Sequence, residues 1–165
     1  MSFYYAQIES RISYGICFWG SGTMLNEVFI LQKRIIRCLA KIDNRTSCKE
    51  YFSSLNILTV YGLYALQILE LIHVNISDFD FNGDFHTYPT RSRNKLSIPL
   101  HHFATVGKTH QVFGLKMYNS LSGNVRAVRG ISKFRSLIKR VLLKICPYSI
   151  NEAIEGIETY FKLQN

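Results

Sequence analysis

No aspartate or glutamate occurs from Phe85 to Asn151, a stretch of 67 residues that carries twelve lysines and arginines. The remainder of the chain holds eight basic and eleven acidic residues, so the net charge of +9 belongs to one segment. Concentrated positive charge points to a polyanion partner, and phosphate backbones are the commonest. A solvated basic face with no partner and a peripheral membrane surface are the alternatives.

Other absences narrow the field. The four cysteines, Cys17, Cys38, Cys48 and Cys146, form no Cys-x-x-Cys. A zinc site or redox pair therefore has no support, and free thiols in a reducing compartment are the default. No long uninterrupted apolar run exists. The most apolar segment, Ile57 to Ile76, contains Gln67, Glu70 and His73, whereas a spanning helix needs about 20 residues with few or no charges. It reads as a buried core helix. Glu9 and Arg11 interrupt the first apolar stretch, so no signal peptide is expected. The expectation is a soluble intracellular protein, cytoplasmic or nuclear.

Catalytic signatures are missing as well. Neither a Gly-x-x-x-x-Gly-Lys-Ser/Thr loop nor a Gly-x-Ser-x-Gly elbow is present. Paired carboxylates of a two-metal site are not evident outside the turn Asp78–Asp84. That turn matches the first half of a calcium loop, but Pro89 stands where a bidentate glutamate is required. It reads as an acidic turn with Asx-type hydrogen bonds. His101 and His102 are neighbours and point to opposite faces of an extended chain. His73, on the apolar helix, reads as a satisfied core histidine. No catalytic residue, metal or cofactor is expected.

What is present is helical periodicity. With 47% apolar and 19% charged residues, a globular core is feasible. Tyr4, Ile8, Ile12 and Ile16 predict a helix over 3–18, ended by Gly20-Ser21-Gly22. Over 24–42, Leu25, Val28, Phe29, Gln32, Ile35, Ile36, Leu39 and Ile42 form an apolar stripe with only Gln32 polar. Lys33, Arg37 and Lys41 run four apart on another face, either solvated or set to meet phosphate. Ser47 and Glu50 fit a capping box for a short helix from Cys48, and Asn56 loosens the chain before a helix over 59–76. Residues 77–104 read as irregular or extended, with Leu96, Ile98 and Leu100 alternating as a short edge strand next to Pro99. A helix over 107–121 turns Val112, Leu115, Tyr118 and Leu121 inward. Ser132 caps a helix over 133–146 whose Phe134, Leu137, Ile138, Val141, Leu142 and Ile145 face the core. Its Lys133, Ser136, Lys139, Arg140 and Lys144 face out, and Pro147 stops it. Ser149 with Glu152 is a second capping box, opening a short acidic helix. The fold class is mostly α, a helical bundle with a short extended segment near 86–103. Residues 1–77, 78–104 and 105–165 form an N-terminal helical part, a connector and a basic helical part of one compact unit. Aromatic residues lie among the basic ones, Tyr88 beside Arg91 and Arg93 and Tyr118 near Lys116. Rings so placed can stack on unpaired bases, although Tyr118 reads first as core.

Several blocks resemble a known family. Tyr4-Tyr5-Ala6-Gln7-Ile8-Glu9-Ser10-Arg11-Ile12-Ser13-Tyr14-Gly15-Ile16, ending in Phe18-Trp19-Gly20, is similar to the segment after the palm of non-LTR retrotransposon reverse transcriptases of the jockey type. Leu31-Gln32-Lys33-Arg34-Ile35-Ile36-Arg37 looks like the family's Leu-Gln-Lys-Arg-Ala-Ile-Arg. Ser47-Cys48 with Phe52, Leu55, Ile57 and Leu58, then His86-x-Tyr88-x-Thr90-Arg91, then Gly114-Leu115-Lys116-Met117-Tyr118-Asn119-Ser120-Leu121, then Phe134 with its basic helix, follow in the family's order. Ser122 departs from it, standing where the family often has proline. The resemblance covers nearly the whole chain. It implies a thumb-like helical region that grips template and primer, with the catalytic carboxylates in a palm upstream. It also implies that Met1 falls where a truncated frame begins, and that the chain lacks polymerase activity. RNA or DNA is the implied partner, together with a missing upstream polymerase part. The residues expected to meet phosphate are Lys33, Arg34 and Arg37; Arg91, Arg93 and Lys95; and Lys133, Lys139, Arg140 and Lys144, with little reading of bases. The rival reading is a non-enzymatic helical scaffold or interaction protein, or a degenerate frame with no nucleic-acid role.

Overall fold

The computed structural model describes residues 2–85, 88, 90–99 and 110–163. The fold is mostly α. Its centre is the helix Val60–Val74 (α5 in chain order), which the apolar composition of 59–76 demands. Leu63, Leu66, Ile68, Leu69 and Ile72 are all buried in it, on nearly every side. A helix apolar all round must be surrounded. Six helices pack on α5: α1 (Ser10–Ser13), α2 (Ile16–Trp19), α3 (Met24–Ala40), α7 (His110–Ser120), α9 (Ile131–Ile145) and α10 (Ile150–Lys162). The remaining helices are α4 (Lys49–Ser54), α6 (Asn82–Phe85) and α8 (Gly123–Arg126).

The expected N-terminal helix over 3–18 is broken. Tyr4–Glu9 is wound as a π-helix, so the Ser10 N–H reaches the Tyr5 carbonyl five residues back. α1 then ends at Tyr14, and Gly15 turns left-handed with φ 62° before α2 begins. Glycine adopts that conformation with the least strain. Tyr4 and Ile16 still reach the core, whereas Phe18 is exposed.

Gln32, the polar residue in the α3 stripe, is buried and fully satisfied. Its Nε2 donates to the Tyr4 hydroxyl at 2.8 Å and the Leu58 carbonyl at 2.9 Å, and its Oε1 accepts from the Val60 N–H at 2.9 Å. One side chain thereby joins the N-terminal turn, α3 and the start of α5. Leu39, expected in the core, is exposed near the helix end.

Asn56 takes a left-handed turn, φ 57°, and its carbonyl accepts from the Tyr5 hydroxyl at 2.9 Å. Thr59 caps α5. Its Oγ1 accepts from the Gly62 N–H at 3.0 Å and donates to the Pro147 carbonyl at 2.7 Å, tying the start of α5 to the segment after α9. The box at Ser149 forms, with Ser149 Oγ accepting from the Glu152 N–H at 3.1 Å. The Glu152 carboxylate reaches one residue past the cap, to the Tyr148 N–H at 2.9 Å. Two other expected caps do not form. α4 starts after Cys48, where Ser47 Oγ accepts only a long bond from the Lys49 N–H at 3.4 Å, and α9 starts at Ile131 after Gly130, ahead of Ser132.

α7 meets α5 at a glycine. A Cβ on Gly114 would lie 2.4 Å from Ile68 Cγ2, so only a bare backbone fits there. Val112, Leu115, Tyr118 and Leu121 are buried as expected, while 107–109 lie outside the described residues.

The connector is more ordered than its sequence suggests. Among the described residues it contains no strand, only a single antiparallel bridge between Phe81 and Leu96. The Leu96 N–H donates to Asn119 Oδ1 at 2.7 Å, and its carbonyl accepts from Asn119 Nδ2 at 2.9 Å. A side-chain amide on α7 thus stands in for a neighbouring strand. The expected edge strand does not form over Leu96 to Pro99, and Leu100 lies outside the described residues. No helix among the described residues is long and apolar enough to cross a membrane.

Candidate nucleic-acid interface

α9 builds the clearest basic surface. Phe134, Ile138, Val141 and Leu142 are buried, which fixes the direction of the opposite side. Lys133, Arg140 and Lys144 are exposed there. The described residues contain two ion pairs, Arg135 with Glu70 at 3.3 Å and Lys162 with Glu158 at 2.6 Å. Neither involves Lys133, Arg140 or Lys144. The Lys144 ammonium sits 5.6 Å from the Tyr160 ring centroid, a contact that orients it while leaving its charge available.

Lys139 belongs to another edge of the same helix. It is half-buried, with its ammonium 5.6 Å from the Tyr5 ring centroid. Burial raises the Glu9 carboxyl above its ordinary value, and Lys139 and then Arg135 pull it back. Those two cations are thus partly engaged inside the molecule.

The stripe on α3 is likewise drawn inward. Lys33 lies 4.7 Å from the Phe29 ring centroid and 5.9 Å from that of Tyr148, and Lys49 lies 5.3 Å from the Tyr148 centroid on α4's side. Arg37 donates from Nε to the Thr46 carbonyl at 3.3 Å. Arg34 is exposed, and Lys41 forms the left-handed end of α3. α4 packs against both α3 and α9, and Lys33 and Lys49 share the Tyr148 ring. Lys49 was not legible as part of this cluster, since it opens a six-residue helix whose place only packing decides.

Arg91, Arg93 and Lys95 are exposed on a turn whose backbone is held at several points. The Lys95 N–H donates to the Ser92 carbonyl at 2.9 Å, and the Lys95 and Arg93 carbonyls accept from Asn82 at 2.9 Å and Gly83 at 3.0 Å. Tyr88 is exposed nearby in sequence. His101, His102, Lys108, His86 and Pro89 lie outside the described residues.

The remaining polar candidates are structural. His73 stacks on Phe134 at 3.9 Å. Its Nε2 faces the Val128 carbonyl at 3.0 Å and its Nδ1 the Tyr118 hydroxyl at 3.1 Å. A carbonyl only accepts, so Nε2 carries the proton and Nδ1 accepts from Tyr118 in the neutral ring. The acidic turn is held by a local bond of another kind than the expected Asx turn: Asp84 Oδ2 accepts from the Phe81 N–H three residues back, at 2.7 Å, at the start of α6. No three His, Cys, Asp or Glu side chains gather to hold a metal among the described residues. Burial pushes the Cys146 thiol up to about 11, so it stays protonated at neutral pH and is a poor nucleophile.

Glu70 is a second half-buried carboxylate. Oε2 pairs with Arg135, while the buried Oε1 has no hydrogen-bond partner among the described residues. Burial raises its carboxyl above the ordinary 4.5, with Arg135 opposing. The folded state therefore holds the Glu70 proton more tightly than the unfolded chain does. Its contribution to stability is present at low pH and is lost as pH rises from 4.5 through the raised folded value. Denaturant titrations of parent and Glu70→Gln should show the variant gaining on the parent as pH rises above 4.5 through the raised folded value. A parent that gains on the variant instead would show that the Arg135 pair outweighs burial.

No known protein family, curated protein or solved structure matches the chain.

Proposed function

We propose that this chain is a catalytically incomplete thumb and post-thumb remnant of a non-LTR reverse transcriptase that binds RNA or DNA through phosphate contacts. The observation that supports it best is the α9 face. Lys133, Arg140 and Lys144 are exposed, fixed in direction by a buried stripe, and without a carboxylate partner among the described residues. A rigid row of cations on a helix meets a phosphate backbone without reading its sequence. The family assignment rests on the motif blocks, and the lack of polymerase activity rests on the missing paired carboxylates.

Salt dependence tests the reading. With about five phosphates engaged, log affinity should fall against log salt with a slope near −3.5 on single strands or −4.5 on duplex. Replacing Lys133, Arg140 and Lys144 by glutamine should flatten the slope by about two units on every sequence alike. Anisotropy of labelled oligonucleotides at several salt concentrations reads both. An unchanged slope would move the site off α9.

A second reading, a helical interaction module, draws on Tyr14 and Phe18, which are 86% and 85% exposed beside Gly15. Large apolar side chains left in solvent together are a recurrent mark of protein contact. Absence of oligonucleotide binding at low salt would favour it.

A further inference from the structure

We propose that the cleft between the connector, the C-terminal end of α7 and α10 holds an unpaired nucleic-acid strand. This rests on the nucleic-acid reading above and names the form of the partner and a second site for it. The cleft measures about 660 Å³. Three cations line it from three elements: Lys95 from the connector turn, Lys116 from α7 and Lys162 from α10. Its lining contains one carboxylate, Glu158, and Lys162 holds that at 2.6 Å. Neither Lys95 nor Lys116 has an ion-pair partner within bonding distance among the described residues, although Lys95 also lies near enough to Glu158 to act on it. The apolar part of the lining is Leu96, Ile98, Leu121, Ile154 and Phe161, of which Ile98 and Ile154 are half-buried and the others buried.

A second cleft of about 370 Å³ continues the first. The two share Ser122 and Phe161, and the second adds Tyr160 and Arg140. Arg140 is part of the basic α9 face, so the groove opens onto that face. The wall that carries Lys95 is fixed, because Asn119 holds both backbone groups of Leu96 and Asn82 holds the Lys95 carbonyl. A preformed groove loses less to ordering when it is filled.

The combination of charge and apolar surface selects the occupant. A duplex shows phosphates on a convex surface and keeps its base faces stacked inside, so the apolar lining would go unused. A free phosphate would meet the lysines alone. A lipid surface is too broad to enter a cleft. An unpaired strand offers both phosphates and base faces, and base faces gain from apolar and aromatic surface.

Three probes of equal length decide it by anisotropy: a single strand of about twelve nucleotides, the same sequence as a duplex hairpin, and an abasic strand. The parent should bind the single strand at least about tenfold more tightly than either other probe, a modest part of the gain seen when several bases stack. In the double variant Lys95→Gln, Lys116→Gln the ratio of single-strand to duplex affinity should collapse to about one. Both side chains are exposed, so the fold is not at risk, and an unchanged melting temperature verifies that. Equal binding of all three probes by the parent would overturn the proposal while leaving the α9 reading intact. So would a preference that survives in the double variant. Failure of the parent to bind any probe would overturn both.

Discussion

Leu69→Asp is expected to lose the cooperative unfolding transition or to melt at least about 10 °C below the parent. Leu69 is 0% exposed in the middle of α5, a helix that six others touch. An aspartate there is either charged in an apolar interior or neutral with unpaired oxygens, and either state costs on the order of 4 kcal/mol. The whole domain is stable by about 5–15 kcal/mol. For a chain of this size, each kcal/mol moves the midpoint by about 2–4 °C. Leu71→Asp is the matched control, because Leu71 lies on the same helix with 47% exposure. The two substitutions share the same loss of helix propensity, about 0.5 kcal/mol. Far-UV circular dichroism during heating separates them. If both variants melted together with the parent, α5 would not be the centre of the core.

Gln32→Leu should cost about 3 kcal/mol although the new side chain is apolar and similar in size. The cost arises from what is left behind. The Val60 N–H and Leu58 carbonyl lose their partner in the interior, and the Tyr4 hydroxyl loses its donor. Each buried group stranded in this way costs about 1–3 kcal/mol. A cycle with Tyr4→Phe isolates one arm. Removing the Tyr4 hydroxyl should destabilise the parent but cost less in the Gln32→Leu background, with a coupling of about 1 kcal/mol. Chemical denaturation of the four proteins measures it. Additive effects would mean that Tyr4 and Gln32 do not act as a pair.

Sequence reading succeeded where a periodic apolar face decides the structure. The stripes of α3 and α9 repeat at helical spacing and most of their residues are buried or half-buried, whereas Leu39 on α3 and Leu71 and Val74 on α5, all expected in the core, are exposed. Gln32 stood out as polar within such a stripe, but nothing local named its three partners, which lie 26 and 28 residues away. The N-terminal break at Gly15 was hidden because Ile8, Ile12 and Ile16 keep four-residue spacing straight through it. Caps were legible only in part. A serine three residues before a glutamate marked Ser149 correctly and Ser47 wrongly, because the backbone at Cys48 rather than Ser47 takes the entry position. The basic face of α9 was legible because its apolar side is. Confinement of Lys33 by Phe29 and Tyr148 was not, since Tyr148 is far along the chain. The groove lined by Lys95, Lys116 and Arg140 was beyond reach for the same reason. Three separate stretches supply it, and only the packing of α10 against α7 and α9 brings them together.

The contact between Asn119 and Leu96 bears on how this protein meets other copies of itself. An extended segment with unused N–H and C=O groups is a template on which a foreign strand can lay down a ladder. At Leu96 both groups are already committed, to an amide that mimics the rim of a sheet. A peptide neighbour would continue to a next residue and a next pair of bonds. A side chain has no next residue, so this ladder is one rung long and cannot grow.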